Sequence, residues 1–129
     1  MGLFVLYFGT TKQYPDIVHH TIWLGKRYKA LLSDIFDKKV LADDFSLYLH
    51  RPTATDPDMA PEGCDSFYVL APVPNNLSGI DWAKQEKDYG DRIVKALEQT
   101  IMPELSSHIV HRFAKTPDDF EHDYCSVEG

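Results

Sequence analysis

FSLYLHRPTATDPDMAPEGCDSFYVLAPV, running from Phe45 to Val73, holds two strand-like runs on either side of a proline-rich connection. Phe45 to His50 alternates apolar and polar residues, and Ser66 to Val73 is rich in aromatic and β-branched ones, so both runs read as strands. Pro52 closes the first run. Pro57, Pro61 and Gly63 then punctuate a connection too long for a tight turn. Side chains alternate across a strand, so Phe45, Leu47 and Leu49 share one side, with Ser46, Tyr48 and His50 on the other. In the second run Phe67, Val69 and Ala71 likewise oppose Tyr68 and Leu70. The first sets are expected beneath helices and the second sets on an uncovered face.

Working outward, Leu3 to Phe8 is a continuous apolar run ending at Gly9, the pattern of a buried strand. Thr10 to Thr21 is polar, contains Pro15 and reads as a connection. Tyr28, Leu31, Leu32, Ile35 and Phe36 recur at helical spacing and predict a helix over Trp23 to Asp37. After a turn at Pro74 to Gly79, Trp82, Tyr89, Ile93, Leu97 and Ile101 mark a longer helix that Pro103 ends. Ser107 to Lys115 has strand character. Thr116, Pro117, Asp118 and Asp119 then combine a hydroxyl cap, an early proline and first-turn acids, opening a short last helix towards Tyr124.

The resulting order predicts an α+β fold: a ferredoxin-like βαββαβ antiparallel sheet with its helices on one face, plus a short C-terminal helix. Residues 1–129 read as a single domain. The open face would present Tyr7, Tyr48, His50, Tyr68 and Leu70, with Val5 beside Tyr7. An exposed apolar patch of this kind reads in two ways, as a binding or assembly surface or as an ordinary half-wet sheet, on which tyrosines are common.

Composition narrows the partners. With 13 Lys+Arg against 20 Asp+Glu the formal charge is −7, which argues against nucleic acid, since phosphate contacts need a basic face. No apolar run approaches the ~20 residues of a membrane helix. The opening MGLFVLYFGTT lacks the basic flank and cleavage site of a signal peptide, so a soluble, cytoplasmic chain is expected. Cys64 and Cys125 do not make a disulfide framework and read as reduced thiols.

Catalytic signatures are sparse. The glycines nowhere form a GxGxxG turn, so no cofactor site is expected in this chain. His108, His111, His122 and Cys125 have spacings like those of zinc ligands, but on a strand His108 and His111 point to opposite faces, and no metal site is expected. His19 and His20 are neighbours in a connection and carry little weight. Asp43 with Asp44, Asp56 with Asp58, and Asp118 with Asp119 each have sufficient roles in turns or helix starts. Cys64 lacks a basic partner that would make it a nucleophile.

The run LADDFSLYLHRPTATDPDMAPEGCDSFYVLAPVP (Leu41 to Pro74) closely resembles an internal segment of the bacterial-type phytoene desaturases, flavin-dependent enzymes of carotenoid biosynthesis. The resemblance extends back through YFGTTKQYPDIVHHTIWLGKRYKALLSDIF (Tyr7 to Phe36) and forward through the Trp82 helix to TPDDF (Thr116 to Phe120). It implies a parent oxidoreductase that uses FAD to take hydride from phytoene, giving lycopene or related products. It also implies a flavin domain built from the two ends of the parent chain, a substrate-binding domain between them, and peripheral contact with the membrane that dissolves the substrate.

On that resemblance this chain is part of the middle. Similar enzymes continue beyond Gly129, and the segment alone is expected to be inert, its partners being the rest of the parent polypeptide and a hydrophobic polyene. Tyr7, Tyr48, His50, Tyr68 and Leu70 are then expected to line the substrate tunnel, while no catalytic residue can be carried over. Two other classes stay open: a free-standing ferredoxin-like ligand-binding module, and an assembly element that self-associates through the open face.

Overall fold

The computed structural model describes residues 1–129. Five strands, β1 (Gly2–Thr10), β2 (His20–Trp23), β3 (Leu47–His50), β4 (Asp65–Val73) and β5 (Ile109–Lys115), form one sheet in the order β2-β3-β4-β1-β5. Every neighbouring pair is antiparallel. Four helices accompany it: α1 (Tyr28–Ser33), α2 (Trp82–Glu98), α3 (Leu105–His108) and α4 (Pro117–Tyr124).

The core lies on one side of the sheet. Phe4, Leu6 and Phe8 of β1, Leu47 and Leu49 of β3, and Phe67, Val69, Ala71 and Val73 of β4 are buried there against Trp82, Tyr89, Ile93, Val94 and Leu97 of α2. This is the burial expected from strand alternation, and the period of the apolar stripe in α2 matches a helix laid across a sheet. Phe4 packs edge-on to Tyr89 with ring centroids 5.0 Å apart, and Phe8 stacks on Phe67 at 5.2 Å.

Several local expectations are corrected. HTIW, assigned to the end of a connection and the start of a helix, is a short edge strand, with Trp23 opposite Leu47 and turned to the core. Gly25 follows it because the chain passes against Phe45: a Cβ on Gly25 would collide with the Phe45 carbonyl oxygen. The first helix therefore begins only at Tyr28. It runs into a wide turn at Asp34–Lys38, closed by Lys39 in the left-handed region. Its buried Leu31 and Ile35 stand outside the main core cluster, so a matched pair of helices on one face is not what covers the sheet. The helix begun at Trp82 ends at Glu98 rather than Ile101. Likewise the last strand begins at Ile109 rather than Ser107, because Leu105–His108 forms a helical turn.

The long connection after β3 is ordered by a buried ion pair. Arg51 Nε donates to Asp65 Oδ2 at 2.9 Å, Thr53 Oγ1 donates to Asp65 Oδ1 at 2.7 Å, and the Tyr14 backbone N–H donates to Oδ2 at 2.8 Å. Arg51 Nη1 reaches the Ile17 carbonyl at 3.0 Å, and the Arg51 backbone N–H donates to the His19 carbonyl at 2.9 Å. Two remote connections are thus tied to the start of β4, and His19 is held beside the end of β3.

Candidate functional site

The face away from the core carries one aromatic ring from each strand in a transverse row. His20 pairs with His50, His50 with Tyr68, Tyr68 with Tyr7, and Tyr7 with Phe113. The rings touch along the row. His20 stacks on His50 at 5.2 Å, His50 meets Tyr68 edge-on at 4.6 Å, Tyr68 lies 5.7 Å from Tyr7, and Tyr7 stacks on Phe113 at 4.7 Å. The adjoining row is Ile22, Tyr48, Leu70, Val5 and Lys115. Tyr7, Tyr48, His50, Tyr68 and Leu70 therefore share one face, all half-buried, while Ile22 is 72% and Phe113 49% exposed.

Val5 departs from the expectation of an open position, being only 4% exposed. Lys115, which pairs with Val5 and shares its face, reaches Asp123 of α4 at 2.5 Å, so α4 lies over that corner of the sheet. A capping box on Thr116 and Asp119 starts this helix, as the TPDD run predicts. Beyond Tyr7 and Phe113 the face continues as a shallow groove past Gly9, Ser66 and His111, where the Ser66 hydroxyl is buried without a hydrogen-bond partner.

At the opposite edge three histidines converge. His19 Nε2 and His50 Nε2 are 2.6 Å apart. His19 Nδ1 shares a hydrogen bond of 2.7 Å with Thr55 Oγ1, and His20 Nδ1 shares one of 2.7 Å with Tyr48 Oη. His50 Nδ1 is buried with no partner. Burial, reinforced by the neighbouring His19 and His20, holds the His50 imidazole below its ordinary pKa. Burial first, then the Tyr48 hydroxyl beside it, pushes the Tyr68 phenol up to about 12. The face is uncharged across its middle, with Lys115 confined to its paired corner.

The other histidines do not assemble. His108 Nδ1 meets Thr11 Oγ1 at 3.0 Å on a helical turn, His111 is exposed on β5, and His122 pairs with Asp123 next to it in α4. Cys125 is exposed and Cys64 half-buried, both as free thiols. Sequence reasoning missed the meeting of His19 and His20 with His50. It depends on β2, whose four residues gave too short a pattern to be read as a strand, and only the β2–β3 register carries the signal.

No family model matches the chain. It is 52% identical over 120 residues to a lycopene-forming phytoene desaturase of Pseudescherichia vulneris, a match covering 92% of this chain and 24% of that protein. It is 45% identical over 134 residues to a neurosporene-forming phytoene desaturase of Rhodobacter capsulatus, covering 100% of this chain and 26% of that protein. With a 4,4'-diapolycopene-forming 4,4'-diapophytoene desaturase of Methylomonas it shares 38% identity over 127 residues, 98% of this chain and 25% of that protein. The chain spans about a quarter of the length of the curated relatives it matches.

Proposed function

We propose that this chain, which belongs to the bacterial-type phytoene desaturases as a segment about a quarter of their length, supplies a wall of the polyene-binding tunnel in the parent enzyme. The observation that carries the reading is the aromatic row across all five strands, flanked by Tyr48 and Leu70. A hydrocarbon substrate such as phytoene offers no polar handle, so its affinity comes from apolar area removed from water. Each 100 Å² so buried is worth roughly 2.5 kcal/mol. A row of touching rings gives a long, firm, uncharged surface suited to an extended chain, and it fixes the substrate's path without committing a charge to it.

FAD is the hydride acceptor in this reading, but the residues present do not fit it. A dinucleotide pyrophosphate is cradled by a glycine-rich turn opening a helix. Here the long helix α2 is capped by Asp81, whose carboxylate is taken by Lys84 at 2.6 Å, and Gly79 is the one glycine in the turn before it. The flavin is therefore assigned to the remainder of the parent polypeptide. This segment contributes binding and orientation, and alone it is inert as a catalyst.

The finer architecture follows the same proposal. Taken as β3-β4-β1-β5, four of the strands have the order of a split βαβ, ferredoxin-like sheet, with β2 added at an edge. Residues 1–129 are read as one unit of the substrate-binding domain. The parent is read as a cytoplasmic enzyme that meets the membrane peripherally, because its substrate dissolves there; no helix in this chain is long and apolar enough to cross a membrane. The test is Tyr48→Ala with Tyr68→Ala in the full-length desaturase. Phytoene turnover is expected to fall at least tenfold, about 1.4 kcal/mol of lost transition-state binding, with flavin content unchanged. Unaltered turnover overturns the assignment.

A further inference from the structure

The cluster at the β2 edge makes a second site, which shares His20 and His50 with the aromatic row but rests on separate observations. We propose that His19, His20 and His50 form a three-imidazole site for a divalent transition-metal cation of the zinc, cobalt or nickel kind. One ligand atom from each residue lies within 4.8 Å of the others. Zinc–imidazole bonds are about 2.0–2.1 Å long, so ligand nitrogens of a tetrahedral site stand about 3.3 Å apart, a spacing that falls between the 2.6 Å His19–His50 contact and the 4.8 Å bound of this cluster.

Two features separate this cluster from a chance grouping. His19 and His20 each place Nδ1 on a hydroxyl, Thr55 Oγ1 and Tyr48 Oη respectively, both at 2.7 Å. When Nδ1–H donates to that hydroxyl, the Nε2 lone pair is left free to bind. This is the outer-shell arrangement that fixes the tautomer and orientation of metal-binding histidines. The 2.6 Å contact between His19 Nε2 and His50 Nε2 then holds a single proton between two nitrogens, the place where a cation would accept both lone pairs. Binding of the cation through His50 Nε2 moves the proton of that imidazole to its buried Nδ1, which has no partner in the structure.

Imidazole donors select zinc, cobalt, nickel and copper over calcium and magnesium, which prefer oxygen. Exposed His20 leaves a side open to solvent for a fourth ligand. The bound ion would join the loop bearing His19, the four-residue edge strand β2 and the end of β3, fastening the shortest outer strand to the sheet.

The test is titration of the 129-residue chain with Zn²⁺ by calorimetry and with Co²⁺ by visible absorption. One-to-one binding is expected, with the intense visible bands of tetrahedral cobalt and slower amide exchange in β2. His20→Ala and His50→Ala should each abolish that stoichiometry. Thr55→Val, which touches no ligand atom of the ion, should weaken binding about 10–100-fold. His111→Ala and His122→Ala should leave it unchanged. Far-UV circular dichroism identifies any variant that fails to fold, and exposed His20 supplies one expected to retain the fold. Absence of saturable binding, an octahedral cobalt spectrum, or binding that survives His20→Ala overturns the proposal.

Discussion

Asp65 shows how one side chain can organise two remote connections. Its carboxylate is fully buried and meets Arg51, Thr53 and the backbone of Tyr14, so the charge is paired and hydrogen-bonded rather than merely enclosed. Such a pair is weak evidence of net stabilisation, but removing one partner strands the other charge in the interior. Asp65→Asn is therefore expected to destabilise the chain by about 3–5 kcal/mol, measured by urea unfolding. The double substitution Asp65→Asn with Arg51→Met, which keeps an amide oxygen for the Tyr14 N–H and Thr53 and removes the stranded cation, should cost clearly less than Asp65→Asn alone. Equal costs would mean that the ion pair is not the source. Asp65 carries no local signal in the sequence, because its partners lie 14, 12 and 51 positions away. Tyr7, Tyr48, His50, Tyr68 and Leu70 were legible as candidates for one face because strand parity is local information. That they form contiguous rows depends on register, which a single sequence does not display.

At the scale of elements, β2 is the decisive piece. It exists because Gly25 lets the chain pass against Phe45 before α1 begins, and the Gly25 N–H donates to Ser46 Oγ at 3.2 Å. A methyl group there meets backbone, which cannot rotate away. Gly25→Ala is expected to destabilise the fold by about 1–3 kcal/mol through overpacking. It should also raise amide exchange selectively in His20–Trp23 while leaving α2 protected. Uniform loss of protection would show that β2 is not an independent edge. The helical periodicity of Tyr28 to Phe36 was real, but its extension back to Trp23 absorbed a strand, since four residues are too few for alternation to compete with a longer pattern. That error concealed the His20–His50 pairing and with it the histidine cluster. The last helix is legible in the sequence in kind and start because Thr116, Pro117 and Asp119 act through neighbouring backbone, a signal contained within one turn.

The whole molecule has one sheet face closed by the α2 side of the core and another closed only at the corner under α4. On the function proposed above, a polyene and the rest of a parent polypeptide would cover the remainder. In the isolated chain that surface meets water, with Ile22 and Phe113 at its two edges 72% and 49% exposed. Burial of the face against a second copy brings no unpaired charge inside, since Lys115 is already held by Asp123. The opposing force is the formal charge of −7 on each copy, which salt screens with a Debye length of about 10 Å at 0.1 M. Concentration-dependent dimerisation is therefore expected in analytical ultracentrifugation, and it should strengthen as salt rises because apolar attraction is unscreened while repulsion is not. Ile22→Lys with Phe113→Lys alters only side chains that already reach solvent, so it should leave the monomer folded and remove the dimer. Association that weakens with salt would point to ion pairs between copies. Association that survives both lysines would place the contact elsewhere, and a monomer at every concentration would mean that the aromatic row needs no cover of its own kind.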